Sequence, residues 1–276
     1  MSWSVPILTY HALHAPGWEY NTNDHVALEM DLARLRELGY RVVPLSVLVQ
    51  HLFVKPVPKL EQDLYVSLSF DDGTDLDYYD FSHPDYGDLK SFHTLLSNQA
   101  GLGWDGGVPT ATSFVIASPH ARTELDETCI AGRSQWRDSW WLPATNGGVL
   151  EIANHSWDHT HVSLNTIAVD EKHRGHFNSI ADYDSADEEI LQAEHYIRQV
   201  CEHRSVPLFA YPYGEYNEFL ANYYFPARSQ WFEAAFTTAG EPVTTASKRW
   251  LMPRYVCGQH WDTPAGLDEI LAGEAT

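Results

Sequence analysis

The stretch Val66-Ser67-Leu68-Ser69-Phe70-Asp71-Asp72-Gly73 decides how the rest of the chain reads. Residues 64–70 are rich in β-formers and predict a strand. It runs into two adjacent carboxylates and a glycine. By itself Asp-Asp-Gly is common turn chemistry. Neighbouring residues at a strand end point in different directions. The two carboxylates can therefore hold different tasks, one binding a metal and the other accepting a proton from an activated water.

Working outward, the same arrangement recurs. Residues 5–10 read as a first strand with His11 directly after it. Residues 149–153 read as a strand shortly before His155, and 208–211 as one shortly before Tyr213. Further strands are predicted at 41–43, 111–117, 234–238 and 250–256. Between them lie helical patterns. Leu28, Leu32, Leu35 and Leu38 form one face of a helix closed by Gly39. A helix is expected near 89–99. Another opens at Ser185 with Glu188 completing a capping box, its buried face carrying Ile190, Ala193, Ile197 and Val200. Two stretches, 75–107 and 122–148, read as long irregular insertions. Strands alternating with helices imply βα units and an α/β fold, here one domain over residues 1–276. In a parallel barrel all strand C-terminal ends open on one face, so His11, Asp71, Asp72, His155 and Tyr213 would converge there.

In His155-Ser156-Trp157-Asp158-His159 two imidazoles stand four residues apart. On a helical turn that spacing puts both on one side, within reach of one ion. With one carboxylate they make a three-ligand site with room for water or substrate. Zinc suits it, and nickel, cobalt or ferrous iron also fit. Among 15 histidines such a pair can also be incidental. His161 is a rival ligand, but its position two residues after His159 points it elsewhere.

Bulk composition narrows the partners. A formal net charge of -21 repels phosphate backbones and anionic lipid, so nucleic acid is not an expected partner. No apolar run is long enough to span a bilayer. The first residues lack the features of a secretory signal, which gives a cytoplasmic expectation. Cys129, Cys201 and Cys257 are too scattered for a disulfide framework or a paired-cysteine metal site.

Taken together, the motifs resemble a known family. Ser69-Phe70-Asp71-Asp72-Gly73 looks like the Thr-Phe-Asp-Asp-Gly signature of polysaccharide deacetylases, the NodB-homology domains of carbohydrate esterase family 4. His155 to His159 looks like the family's His-Ser/Thr-x-x-His. Residues 110–115 resemble the strand between these motifs, and Phe209-Ala210-Tyr211-Pro212-Tyr213-Gly214 resembles the third motif. The resemblance spans roughly residues 5–256. It implies a distorted (β/α) barrel of seven or eight strands, here with the two long loop insertions. It also implies one divalent metal ion held by Asp72, His155 and His159, with Asp71 as general base and the Tyr213 backbone N–H in the oxyanion hole.

Two family features are missing. Ala210 stands where many members have an arginine that braces the base, and no late Leu-x-His supplies a general acid. Both gaps fit a branch resembling the poly-N-acetylglucosamine deacetylases, which has an early Tyr-His and a late Pro-Arg. Tyr10-His11 and Pro253-Arg254 match. The resemblance thus implies His11 as the acid and Arg254 as the brace, with His260 as the rival acid. The implied activity is hydrolysis of N-acetyl groups on an amino sugar within a poly- or oligosaccharide. Two alternatives keep the fold: deformylation or amide hydrolysis on a smaller or lipid-linked substrate, and a non-catalytic sugar-binding barrel. Oligomeric state is not legible.

Overall fold

The computed structural model describes residues 3–53, 64–83, 87–104, 107–130 and 132–273. Its centre is an eight-stranded parallel sheet. The strands are β1 (Ile7–His11), β2 (Arg41–Val42), β3 (Tyr65–Asp71), β4 (Ala111–Val115), β5 (Leu150–Asn154), β6 (Leu208–Ala210), β7 (Ala234–Phe236) and β8 (Tyr255–Val256). They run in the order β7-β6-β5-β4-β3-β1-β8, with β2 beside β3. The segment before β8 reaches the other edge, where Met252 N–H donates to Ala235 O at 2.9 Å and Thr237 N–H to Met252 O at 2.8 Å. The sheet therefore curls into the α/β barrel expected from the motifs.

Strand alternation sorts the side chains. Ile7, Phe114, Ala153, Leu208, Phe236 and Met252 pack together as one buried cluster. Leu8, Tyr10, Leu68, Phe70 and Ile152 belong to another, with Leu28, Leu32 and Leu35 of the helix Asp24–Glu37. The polar residues share a face too. Thr9 and Ser69 hydroxyls meet at 2.8 Å, and His11 and Asp71 are register partners two residues further on. Period two thus carries both His11 and Asp71 to the open end of the barrel.

Several local expectations change. The helix Asp24–Glu37 is capped by the Asn23 side chain, and Gly39 closes it at φ 78°. The helix foreseen at Ser185 starts earlier: Asp182 is the cap and accepts Ser185 N–H, so Ser185 lies inside the first turn and no capping box with Glu188 forms. Residues Asp187–Leu191 then wind as a π-helical turn before Gln192–Val200. Ile190, Ala193 and Ile197 are buried as foreseen, while Val200 is half-buried.

The two insertions are more regular than their Gly and Asp content implied. Residues 75–107 hold a hairpin (Phe81–His83 with Gly87–Leu89) and a helix, Phe92–Ser97, shorter than the one foreseen. In 122–148 the irregular reading fails. Helix Pro119–Cys129 starts on a Ser118 cap with proline in its first turn, and Trp141–Gly147 is a second helix. The aromatic residues there, Trp140 and Trp141, are fully buried core, not loop. The long strand read at 250–256 reduces to Tyr255–Val256 plus a bridge from Met252 to Phe236. Helices Leu45–Phe53 and Pro264–Ala272 were not foreseen. Among the described residues no helix is long and apolar enough to cross a membrane.

Candidate active site

The strand ends surround a cavity of about 260 Å³. Its lining includes His11, Asp71, Asp72, His155, His159 and Tyr213, all foreseen, together with His161.

Asp71 is the last residue of β3 and is 4% exposed. Arg254, fully buried, grips it with two parallel bonds: Nη1–H to Oδ1 at 2.7 Å and Nη2–H to Oδ2 at 2.8 Å. The guanidinium is itself fixed by Nε–H to Thr237 O at 3.2 Å and lies over the Phe114 ring. Burial alone would raise the Asp71 carboxyl. The Arg254 charge and its bonds, with His155 nearby, outweigh that and hold it well below the usual carboxylate range. Asp71 is thus a fixed carboxylate, aimed by an arginine from the far end of the chain.

Asp72 turns away from Asp71 because its backbone is left-handed, at φ 75°. Such a conformation in a non-glycine residue is uncommon and recurs at functional sites. Gly73 follows at φ 68°, and a Cβ there would sit 2.4 Å from Val115 Cγ1. Glycine is therefore required for the turn to pass β4. The Asp72 carbonyl accepts Trp136 Nε1–H at 3.1 Å, so the second insertion buttresses the turn.

The His155–His159 segment is not the helical turn expected. Ser156 and His159 are left-handed, at φ 70° and 65°. Side chains hold this loop: Asn154 Oδ1 accepts Ser156 N–H at 2.8 Å, and Ser156 Oγ accepts His159 N–H at 2.8 Å. The π-helical turn supplies Glu189, whose carbonyl accepts Trp157 N–H at 2.7 Å and whose carboxyl accepts Asp158 N–H at 3.3 Å. Glu189 has no exposure, and burial, then Asp158, push its carboxyl up. The two imidazoles still meet, with centroids 4.8 Å apart, but by loop geometry instead of helical spacing.

Ligand atoms of Asp72, His155 and His159 lie within 4.8 Å of one another. The donor chemistry fits a cation. His155 Nδ1–H donates to Ala210 O at 2.9 Å, which in the neutral ring leaves the lone pair on Nε2. That lone pair is 3.8 Å from Asp72 Oδ1 and 3.9 Å from Asp71 Oδ2, beyond hydrogen-bond range of both. His159 Nδ1 is buried with no partner among the described residues. Burial, then the His155 and His161 rings, push the His159 pKa well down, leaving the neutral imidazole a metal needs. His161 lines the cavity but lies outside the three-ligand group.

His11 is half-buried and its backbone N–H donates to Asp24 Oδ2 at 2.7 Å. The rival His260 is placed elsewhere. Its Nδ1 accepts Val256 N–H at 2.8 Å, its ring is packed against Gly240, and it is not among the cavity's lining residues. Tyr213 is left-handed at φ 60° in the Pro212–Gly214 turn. Gly214 and Glu215 use their amides within that turn, to Tyr211 O and Pro212 O; the Tyr213 amide is not part of that pair. Sequence reasoning missed the supports, Trp136, Asn154, Asp24 and Glu189. Only Asn154, directly before His155, carried a positional signal.

Known proteins bear on this geometry. Residues 109–224 match the family model described as polysaccharide deacetylase. That stretch includes His155, His159 and Tyr213. No curated protein matches the sequence. Several solved structures share the fold. The Streptococcus pyogenes deacetylase PplD, in complex with acetate, is 18% identical with a TM-score of 0.64, over 98% of this chain and 99% of that one. IcaB from Ammonifex degensii is 18% identical with a TM-score of 0.60, over 99% and 97%. A de-N-acetylase from Aggregatibacter actinomycetemcomitans is 13% identical with a TM-score of 0.57, over 97% and 99%. At such identities the likeness is one of fold. Residues 109–224 are thus similar to the polysaccharide deacetylase family, and the chain as a whole has the fold of these deacetylases.

Proposed function

We propose that the protein is a metal-dependent hydrolase that removes N-acetyl groups from amino sugars in a poly- or oligosaccharide. One observation carries this reading: an Asp-His-His group able to share an ion stands beside a carboxylate clamped by a buried arginine, at the mouth of a parallel barrel. The fold relatives named as deacetylases, one with acetate bound, support the reaction class.

Asp72, His155 and His159 would hold the ion. A divalent ion in such a site polarises the acyl carbonyl and eases ionisation of water. Asp71 takes the proton from the attacking water, with Arg254 fixing both its oxygens. The Tyr213 N–H donates to the oxygen that becomes negative. His11 gives a proton to the leaving nitrogen, because an amine leaves poorly as an anion. Water and amide are consumed; acetate and a free amine result.

The test is acetate and formate release, measured separately, across N-acetyl and N-formyl amino sugars from monosaccharide to oligosaccharide. Acetate from N-acetylated oligosaccharides is expected. Formate alone would move the activity to deformylation, and no release from any member would contradict the proposal.

A further inference from the structure

His161 has no place in the chemistry above, yet it is built into the same cavity. It lies two residues after His159, with ring centroids 5.7 Å apart. It lines the cavity without joining the three-ligand group. Its Nδ1 accepts Ser163 N–H at 3.1 Å. A backbone amide can only donate, so Nδ1 must carry a lone pair, and the ring proton is on Nε2. That N–H has no protein partner among the described residues. The ring is thus held in one tautomer at the wall of the cavity, with one donor not used by a protein group among the described residues.

We propose that His161 is a specificity residue whose Nε2–H donates to a sugar hydroxyl next to the N-acyl group of the substrate. This rests on the proposed deacetylation. The reacting amide must lie against Asp72, His155 and His159. In an amino sugar, hydroxyl groups sit on carbons flanking the nitrogen-bearing one, a few ångströms from the amide. His161 adjoins His159 at a comparable remove. A neutral donor with no other partner favours an uncharged oxygen acceptor. A site that offers a hydrogen bond discriminates against a substrate lacking the matching group.

The experiment compares wild type with His161→Ala and His161→Gln, each reconstituted with zinc and assayed for metal content. Substrates are an N-acetylglucosamine oligosaccharide and its analogues lacking one hydroxyl beside the N-acetyl carbon. Loss of one neutral hydrogen bond should lower kcat/KM for the full sugar by roughly tenfold in His161→Ala. The Gln variant, with a donor at a similar reach, should recover part of it. Metal content should be unchanged in both. One deoxy analogue should be equally poor for wild type and His161→Ala, since the bond is absent in each case. If His161→Ala weakens every sugar by the same factor, deoxy or not, the proposed bond does not exist. If it loses the metal, His161 is a ligand instead. An active wild type with an indistinguishable His161→Ala overturns this inference alone. A wild type inactive on every N-acyl sugar overturns the proposed function, and this inference with it.

Discussion

Asp71 and Asp72 are neighbours with opposite surroundings. Asp71 is buried under Arg254, while Asp72, its backbone left-handed, joins two imidazoles. Their roles should therefore separate on substitution. Asp71→Asn should keep the metal and lower kcat by about 10²–10⁴-fold, the range for a lost proton-transfer group. It should also lower the melting temperature, because Arg254 is left buried without its full counter-charge. Metal content and kcat measured on one preparation would check this; joint loss of both would mean the carboxylates are assigned the wrong way round. For the acid, the account expects His11→Ala to remove the basic limb of the pH–rate profile and His260→Ala to leave it in place. His11 lines the cavity, whereas His260 packs on Gly240. An unchanged limb in His11→Ala would count against the assignment.

Among the elements, strands were more legible than loops. A buried parallel strand is a run of β-formers, and its end is marked by the polar residue that follows; that was enough to locate β1, β3, β5 and β6 and the site residues beyond them. The loop from His155 to His159 was not legible. Its left-handed residues are set by Asn154, Ser156 and the distant Glu189, none of which alters local periodicity. Arg254 could be matched to a motif, but its grip on Asp71 spans 183 residues. The helix Gln192–Val200 carries a separate, testable consequence. Glu194 is 1% exposed, and burial pushes its carboxyl from 4.5 up to about 8, against the pull of its Asn154 bond and of Arg198. The folded chain then binds this proton more tightly than the unfolded chain does. Between about pH 4.5 and 8 the native state holds more protons, so stability falls as pH rises through that window. Glu194→Gln, neutral throughout, should melt at a higher temperature than wild type at pH 8 and gain less at pH 5. Equal differences at the two pH values would contradict the buried, protonated carboxyl.

At the scale of the whole molecule, the site is assembled from residues 11 to 254, so the barrel must be complete before any of the chemistry exists. The net charge of -21 suits an uncharged sugar substrate better than a polyanion, and the proposed function sets a cation against Asp72, Asp71 being already paired with Arg254. The central claim is that this cation is a single divalent ion on Asp72, His155 and His159 and that hydrolysis depends on it. The most direct measurement is acetate release from an N-acetylglucosamine oligosaccharide by chelated protein titrated with zinc, nickel, cobalt or ferrous iron. The account predicts negligible release without metal and recovery that saturates at one ion per chain. It also predicts no recovery in Asp72→Ala, His155→Ala or His159→Ala. Full activity in the metal-free protein, or recovery in all three variants, would contradict it.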